Sequence, residues 1–107
     1  MKLNDYQDAA QRTAIYPSDQ GLIYTVLGLV GEAGEVAEKV KKRIRDGDDG
    51  SGNFEDALAL ELGDVLWYIA NCASELGFSL SDIAIQNLAK LDSRRTRGVL
   101  GGSGDER

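Results

Sequence analysis

The chain predicts an all-α fold of four helices. Apolar residues recur at three- and four-residue steps over long segments, and no stretch alternates apolar and polar residues as a strand does. The only proline, Pro17, falls in a polar break near the start, so nothing interrupts the longer segments.

The first helix is expected to take Asn4 as its N-cap and to run to about Ile15, stopping short of Pro17. The second runs from about Gln20 to Arg45. Its apolar stripe, Leu22, Val26, Leu29, Val30, Ala33, Val36, Ala37 and Val40, centres near Ala33 and Val40. It closes on Lys41, Lys42, Arg43 and Arg45, cations that suit the negative end of a helix dipole. DGDDGSGN at 46–53 is a loop by composition. Asn53 with Asp56 resembles a capping box for a third helix, which reaches Leu76 and stops at Gly77. Ser79 and Asp82 open a fourth helix through Asp92 or slightly beyond. RGVLGGSGDER, with four glycines in eleven residues, is a tail expected to be disordered or ordered only by a ligand or partner. The division is therefore a helical domain over 1–96 and a Gly-rich tail over 97–107. Stripes this broad on four short helices, with Ile23, Leu27 and Trp67 partly off them, imply a bundle completed by a homo-oligomer, a dimer or tetramer.

A chain of 107 residues supports one core and not two. Its net charge of −6 argues against a nucleic-acid partner, which needs a basic footprint. No segment is long enough to span a membrane, and MKLNDYQDAAQ lacks the apolar run of a signal peptide. One cysteine, Cys72, leaves no intrachain disulfide, and a cytoplasmic setting is the default. Histidine is absent, which removes Ser-His and Cys-His nucleophiles and the usual zinc sets. Chemistry falls to carboxylates, Lys, Arg and Tyr.

Those carboxylates are patterned. Glu32 and Glu35 lie at the edge of the second helix's stripe, whereas Glu38 falls on the solvent side. On the third helix Leu58, Leu62, Val65, Ile69 and Leu76 form the stripe, with Glu61, Asp64 and Tyr68 along one margin. Residues three apart lie about 5–6 Å from each other at Cβ, so each helix offers two convergent acids. If the margins meet, four carboxylates repel unless a cation intervenes. An all-oxygen set selects a hard ion, Mg²⁺ with Mn²⁺ as substitute. Solvated boundary acids are the bland alternative, since E-x-x-E is common in helices.

Three ordered motifs then stand out: G-E-x-G-E-V-A-E at 31–38, E-L-G-D-V-L-W-Y at 61–68 and N-L-A-K-L-x-x-R at 87–94. Together with the closing R-G-V-L-G-G-S-G-D-E-R they resemble the MazG-like nucleoside triphosphate pyrophosphohydrolases. Gly31 stands where that family often has a further glutamate. The resemblance implies a four-helix MazG-like bundle in which Glu32, Glu35, Glu61 and Asp64 bind Mg²⁺. It implies hydrolysis of nucleoside triphosphates, deoxynucleotides foremost, between the α- and β-phosphates as nucleotide-pool house-cleaning. Glu32 or Glu35 is then the acceptor of the attacking water's proton, and Lys90 a catalytic cation. Asn87, Lys90, Arg94 and Arg97 are implied phosphate contacts, Tyr68 the better candidate for stacking on a base, and Trp67 a buried or interface residue. Arg95 reads as a cation complementing the dipole of its helix. The tail is expected to close over nucleotide, with Arg97 or Arg107 reaching it. A phosphoribosyl-ATP pyrophosphatase and a non-catalytic helical interaction module remain the competing readings.

Overall fold

The computed structural model describes residues 1–107, which form α1 (Leu3–Gln11), α2 (Gly21–Asp46), α3 (Phe54–Leu76) and α4 (Leu80–Thr96), with a 3-10 turn at Ser18–Gln20. The fold is all-α, as the periodicity requires.

α1, α3 and α4 share a small core of Ala10, Ala70 and Leu80, flanked by Tyr6, Trp67 and Ile69. Its glue is polar. The buried Gln7 donates from Nε2 to Ser74 Oγ and the Phe78 carbonyl, both at 3.0 Å, and its Oε1 accepts from the Leu80 amide at 2.8 Å. Asn4 Oδ1 accepts from the Ser81 amide at 3.0 Å, and Ser79 Oγ accepts from the Asp82 amide at 3.0 Å. Three otherwise orphaned amides at the start of α4 are thus capped, two of them by α1. Asn4 is therefore not the N-cap of its own helix. Lys2 holds that position, its backbone N–H donating to Asp5. α1 also ends at Gln11, four residues earlier than expected, in turn bonds from Thr13 to Ala10 and Ala14 to Gln11.

α3 ends as its sequence requires. Gly77 takes φ 80°, the Phe78 amide bonds the Ala73 carbonyl and the Gly77 amide that of Ser74. Its start does not, because Asn53 makes no capping bond from its side chain and accepts from Ser51 Oγ instead. α4 continues to Thr96.

α2 departs most from expectation. It packs lengthwise on α3 and makes no contact with α4. The face it buries takes in only Leu29 and Val36 of the apolar stripe, both half-buried. Gly21 and Thr25 are its buried residues, while Leu22, Val26 and Val40 are exposed and Val30 is 67% exposed. Small residues permit the closeness that apolar ones would prevent. A Cβ at Gly21 would strike the Glu75 carboxylate, and one at Gly28 would strike the Tyr68 ring. The same antiparallel register sets Thr25 opposite Asn71 and Glu32 opposite Asp64. With the stripe uncovered, the radius of gyration is 16.9 Å, against about 13 Å for a compact chain of this size.

Candidate metal centre

The α2–α3 register brings acids together. Glu32, Glu61 and Asp64 each offer a carboxylate oxygen within 4.8 Å of the others. Burial first, then Asp64, Glu61 and Glu35, pushes the Glu32 carboxyl above the ordinary glutamate range. Burial and neighbouring like charges both disfavour the charged form. Glu35, the fourth expected ligand, is exposed and lies outside the three-acid cluster. Lys39, four residues on from Glu35 along α2, reaches across to Glu61, Nζ to Oε1 at 3.5 Å. Glu38 pairs with Lys41 and Lys42 at the surface. Three convergent carboxylates with no nitrogen or sulfur donor among them suit a hard divalent cation.

Beside the acids stands an aromatic row. Tyr68 lies over Gly28, its ring 6.4 Å from that of Tyr24 and 4.9 Å from that of Trp67. Burial, then Tyr24, and then Glu32 and Asp64 push the Tyr68 phenol up. Tyr16 extends the row, 5.0 Å from Tyr24, and donates to Glu75 at 2.9 Å. Burial and that bond push its pKa up to about 12. Trp67 is half-buried and donates to Thr13 Oγ1 at 2.8 Å, which fixes it within the chain. Periodicity alone does not single out Gly21 and Gly28. Two glycines seven apart on one face of a helix were the available signal, since each marks a close approach.

The implied α4 contacts are not brought to the acids within one chain. α4 lies on the far side of α3, and Asn87 lines an apolar groove of about 250 Å³ with Leu3, Leu66 and Ile83. Lys90 and Arg94 are occupied by the tail. Lys90 Nζ donates to Asp105 Oδ1 at 3.1 Å, and Arg94 Nη2 donates to the Asp105 carbonyl at 2.8 Å and its Oδ1 at 3.2 Å. Lys90, then Arg94, holds the Asp105 carboxyl below the usual range. Arg97 donates to Ser93 Oγ and the Arg107 carbonyl, and Arg107 in turn donates to the carbonyls of Val99, Leu100, Gly101 and Gly104. The tail therefore has no helix, as expected, but is ordered by the chain's own arginines. Arg95 pairs with Asp92 at 2.6 Å.

The chain has counterparts among known proteins. A family model described as the MazG nucleotide pyrophosphohydrolase domain matches residues 20–99. The chain belongs to this family. The matched span takes in α2, α3, α4 and all three acids of the cluster, and leaves out α1. Among curated proteins, "Gene 37 protein" of Mycobacterium phage L5 is 51% identical over 114 aligned positions, covering all of both chains. No solved structure matches. As a MazG domain the chain carries a nucleotide pyrophosphohydrolase architecture, and its acidic cluster is where a divalent cation fits. No helix is long and apolar enough to cross a membrane.

Proposed function

We propose that this MazG domain hydrolyses nucleoside triphosphates, deoxynucleotides foremost, to monophosphate and pyrophosphate with Mg²⁺ or Mn²⁺, in nucleotide-pool house-cleaning. The observation that carries this is the meeting of Glu32, Glu61 and Asp64 within 4.8 Å beside Tyr68. These three acids are the residues that would hold the ion. Bound there, a divalent cation supplies charge neutralisation for the triphosphate and acidifies water.

The protein's own groups do the rest. Glu35, exposed and outside the cluster, accepts the proton of the attacking water. The water oxygen bonds to the α-phosphorus, the bond from that phosphorus to the α,β-bridging oxygen breaks, and the electron pair leaves with pyrophosphate. Tyr68, fixed over Gly28, offers its ring to the nucleoside.

The reading includes a second copy of the chain. Leu27 and Val30 on α2 are 66% and 67% exposed and Leu60 on α3 is 75% exposed, more apolar surface than a lone chain leaves in water. A dimer or tetramer that covers the α2 stripe also gives a partner's Asn87 and Lys90 a route to the acids of this chain, while Arg94 stays buried as the clamp of its own tail.

A panel of ribo- and deoxynucleoside triphosphates with Mg²⁺, including phosphoribosyl-ATP and scored for pyrophosphate separately from phosphate, tests the reaction. Pyrophosphate release from a nucleoside triphosphate is expected, and sedimentation of the active sample reads the assembly. Release of phosphate alone, or none, refutes the assignment.

A further inference from the structure

Beyond the acids, the α2–α3 groove opens into a cleft of about 320 Å³ at the turn joining the helices. Its cationic wall is Lys39, Lys42 and Arg43, successive residues on one face of α2. Arg43 is held in place with its guanidinium carbon 4.5 Å from the Phe54 ring centroid. Asp46 and Asp49 also line the cleft, but each is engaged nearby, Asp46 by Arg45 at 2.7 and 2.9 Å and Asp49 by the Ser51 amide and hydroxyl. No side chain caps the N-terminus of α3 at Asn53 and Phe54, which border the same space.

Resting on the pyrophosphohydrolase reading, we infer that this cleft seats the β- and γ-phosphates, and hence the pyrophosphate leaving group. Three observations converge. The cleft adjoins the acids directly, because Lys39 is both its wall and the 3.5 Å partner of Glu61. Lys39 lies seven residues, about 10 Å of helix, from Glu32, so one groove runs from aromatic row to acids to cations. The acidic partners of these cations are loosely held: Lys42 is 3.7 Å from Glu38, and the half-buried Arg43 is 3.4 Å from the exposed Asp48, long pairs that a phosphate readily replaces. By contrast Lys90 and Arg94 are tied to Asp105 and do not face α2 in the same chain. A triphosphate lying with its nucleoside on Tyr68 and its α-phosphorus at the acids has its remaining phosphates pointing at Lys39, Lys42 and Arg43. Charge that grows on the bridging oxygen as the bond breaks is then met by fixed cations.

The test pairs Lys42→Ala with Arg43→Gln, alone and together, against Arg95→Ala, which removes an equal charge from a distant surface. In Mg²⁺ buffer the double variant should lose on the order of tenfold or more in kcat/KM, chiefly through KM, since charge-assisted phosphate bonds are lost. Product inhibition by pyrophosphate should weaken by a similar factor while inhibition by the nucleoside monophosphate stays unchanged. Arg95→Ala should match wild type in all three. Unchanged pyrophosphate inhibition in a folded double variant, or an equal loss in Arg95→Ala, overturns the inference. If wild type cleaves no nucleoside triphosphate, the reaction assignment falls, and calorimetric binding of inorganic tripolyphosphate to the same proteins still decides the cleft. Tighter binding by wild type than by the double variant upholds the anion site, and equal binding overturns it.

Discussion

The cationic ends of α2 and α4 read alike in sequence, KVKKRIR and KLDSRR, and both complement a helix dipole. The fold sends them to different ends. On α4, Arg94 is 5% exposed and its Nη2 donates to the backbone and side chain of the tail, while its buried Nε has no partner, so it works as a structural clamp. On α2, Lys39, Lys42 and Arg43 border open space next to three carboxylates. Residue type does not decide between clamp and ligand contact. What faces the cation decides, and the α2–α3 register sets that.

The largest effect should come from the acids on which the comparison turns. Glu32→Gln and Asp64→Asn each remove a carboxylate charge from the cluster without changing side-chain size. Loss of several kcal/mol of charge stabilisation corresponds to a fall on the order of 10³-fold in kcat/KM. Circular dichroism should show helix content intact. Glu38→Gln, whose carboxylate is committed to Lys41 and Lys42 at the surface, should stay near wild type. Near-normal turnover in Asp64→Asn would remove the site from this end of the groove.

A middle-sized effect separates the two cation clusters by stability. Arg94→Ala strips the tail of its buried clamp, and a net cost of about 1–2 kcal/mol should lower Tm by roughly 5–10 °C. Deleting residues 97–107 takes away the same contacts from the other side and should lower Tm by no more than that substitution. Lys42→Ala, at an exposed position, with Arg43→Gln, which gives up the half-buried guanidinium's contact with Phe54, should cost no more than about 0.5–1 kcal/mol. Thermal melts at one protein concentration check all three. Equal melting of the Arg94 and Lys42/Arg43 variants would erase the distinction between clamp and open cleft. If the tail also acts as a lid, its deletion raises KM as well.

Much of this was legible beforehand, and the exceptions share a cause. Helix number, the Gly77 stop, the Ser79 cap and the carboxylate spacing follow from local rules, and all appear in the structure. Apart from Asn53, whose side chain is taken by the neighbouring Ser51, local rules failed where a distant segment supplied the partner. Asn4 left α1 to cap α4, and the tail found Arg94. The deepest miss is the packing face of α2. Periodicity centres on a stripe that includes Leu22, Val26 and Val30, but the chain packs the face of Gly21, Thr25, Gly28 and Glu32 and leaves those three exposed. An apolar stripe says that a surface will be covered; it does not say by which chain.

The smallest effect concerns the charge balance of the acid cluster without metal. The Glu32 carboxyl is raised from its ordinary value of 4.5 because burial and three neighbouring acids disfavour its charged form. A raised carboxylate pKa means the folded state binds that proton more tightly than the unfolded chain does. Its contribution to stability is therefore full below pH 4.5 and is lost as pH rises through the raised value, leaving the folded state strained by repulsion at neutral pH. Glu32→Gln removes that repulsion. In chelator the variant should melt slightly above wild type at pH 7, and the gap should close as pH falls toward 4.5. Saturating Mg²⁺ should reverse the order at pH 7, because only wild type retains the full set of carboxylates to gain from the ion. A variant that melts below wild type in chelator at pH 7 would mean that Glu32 is not crowded. The cations of α2 would then face a site already neutralised by Lys39.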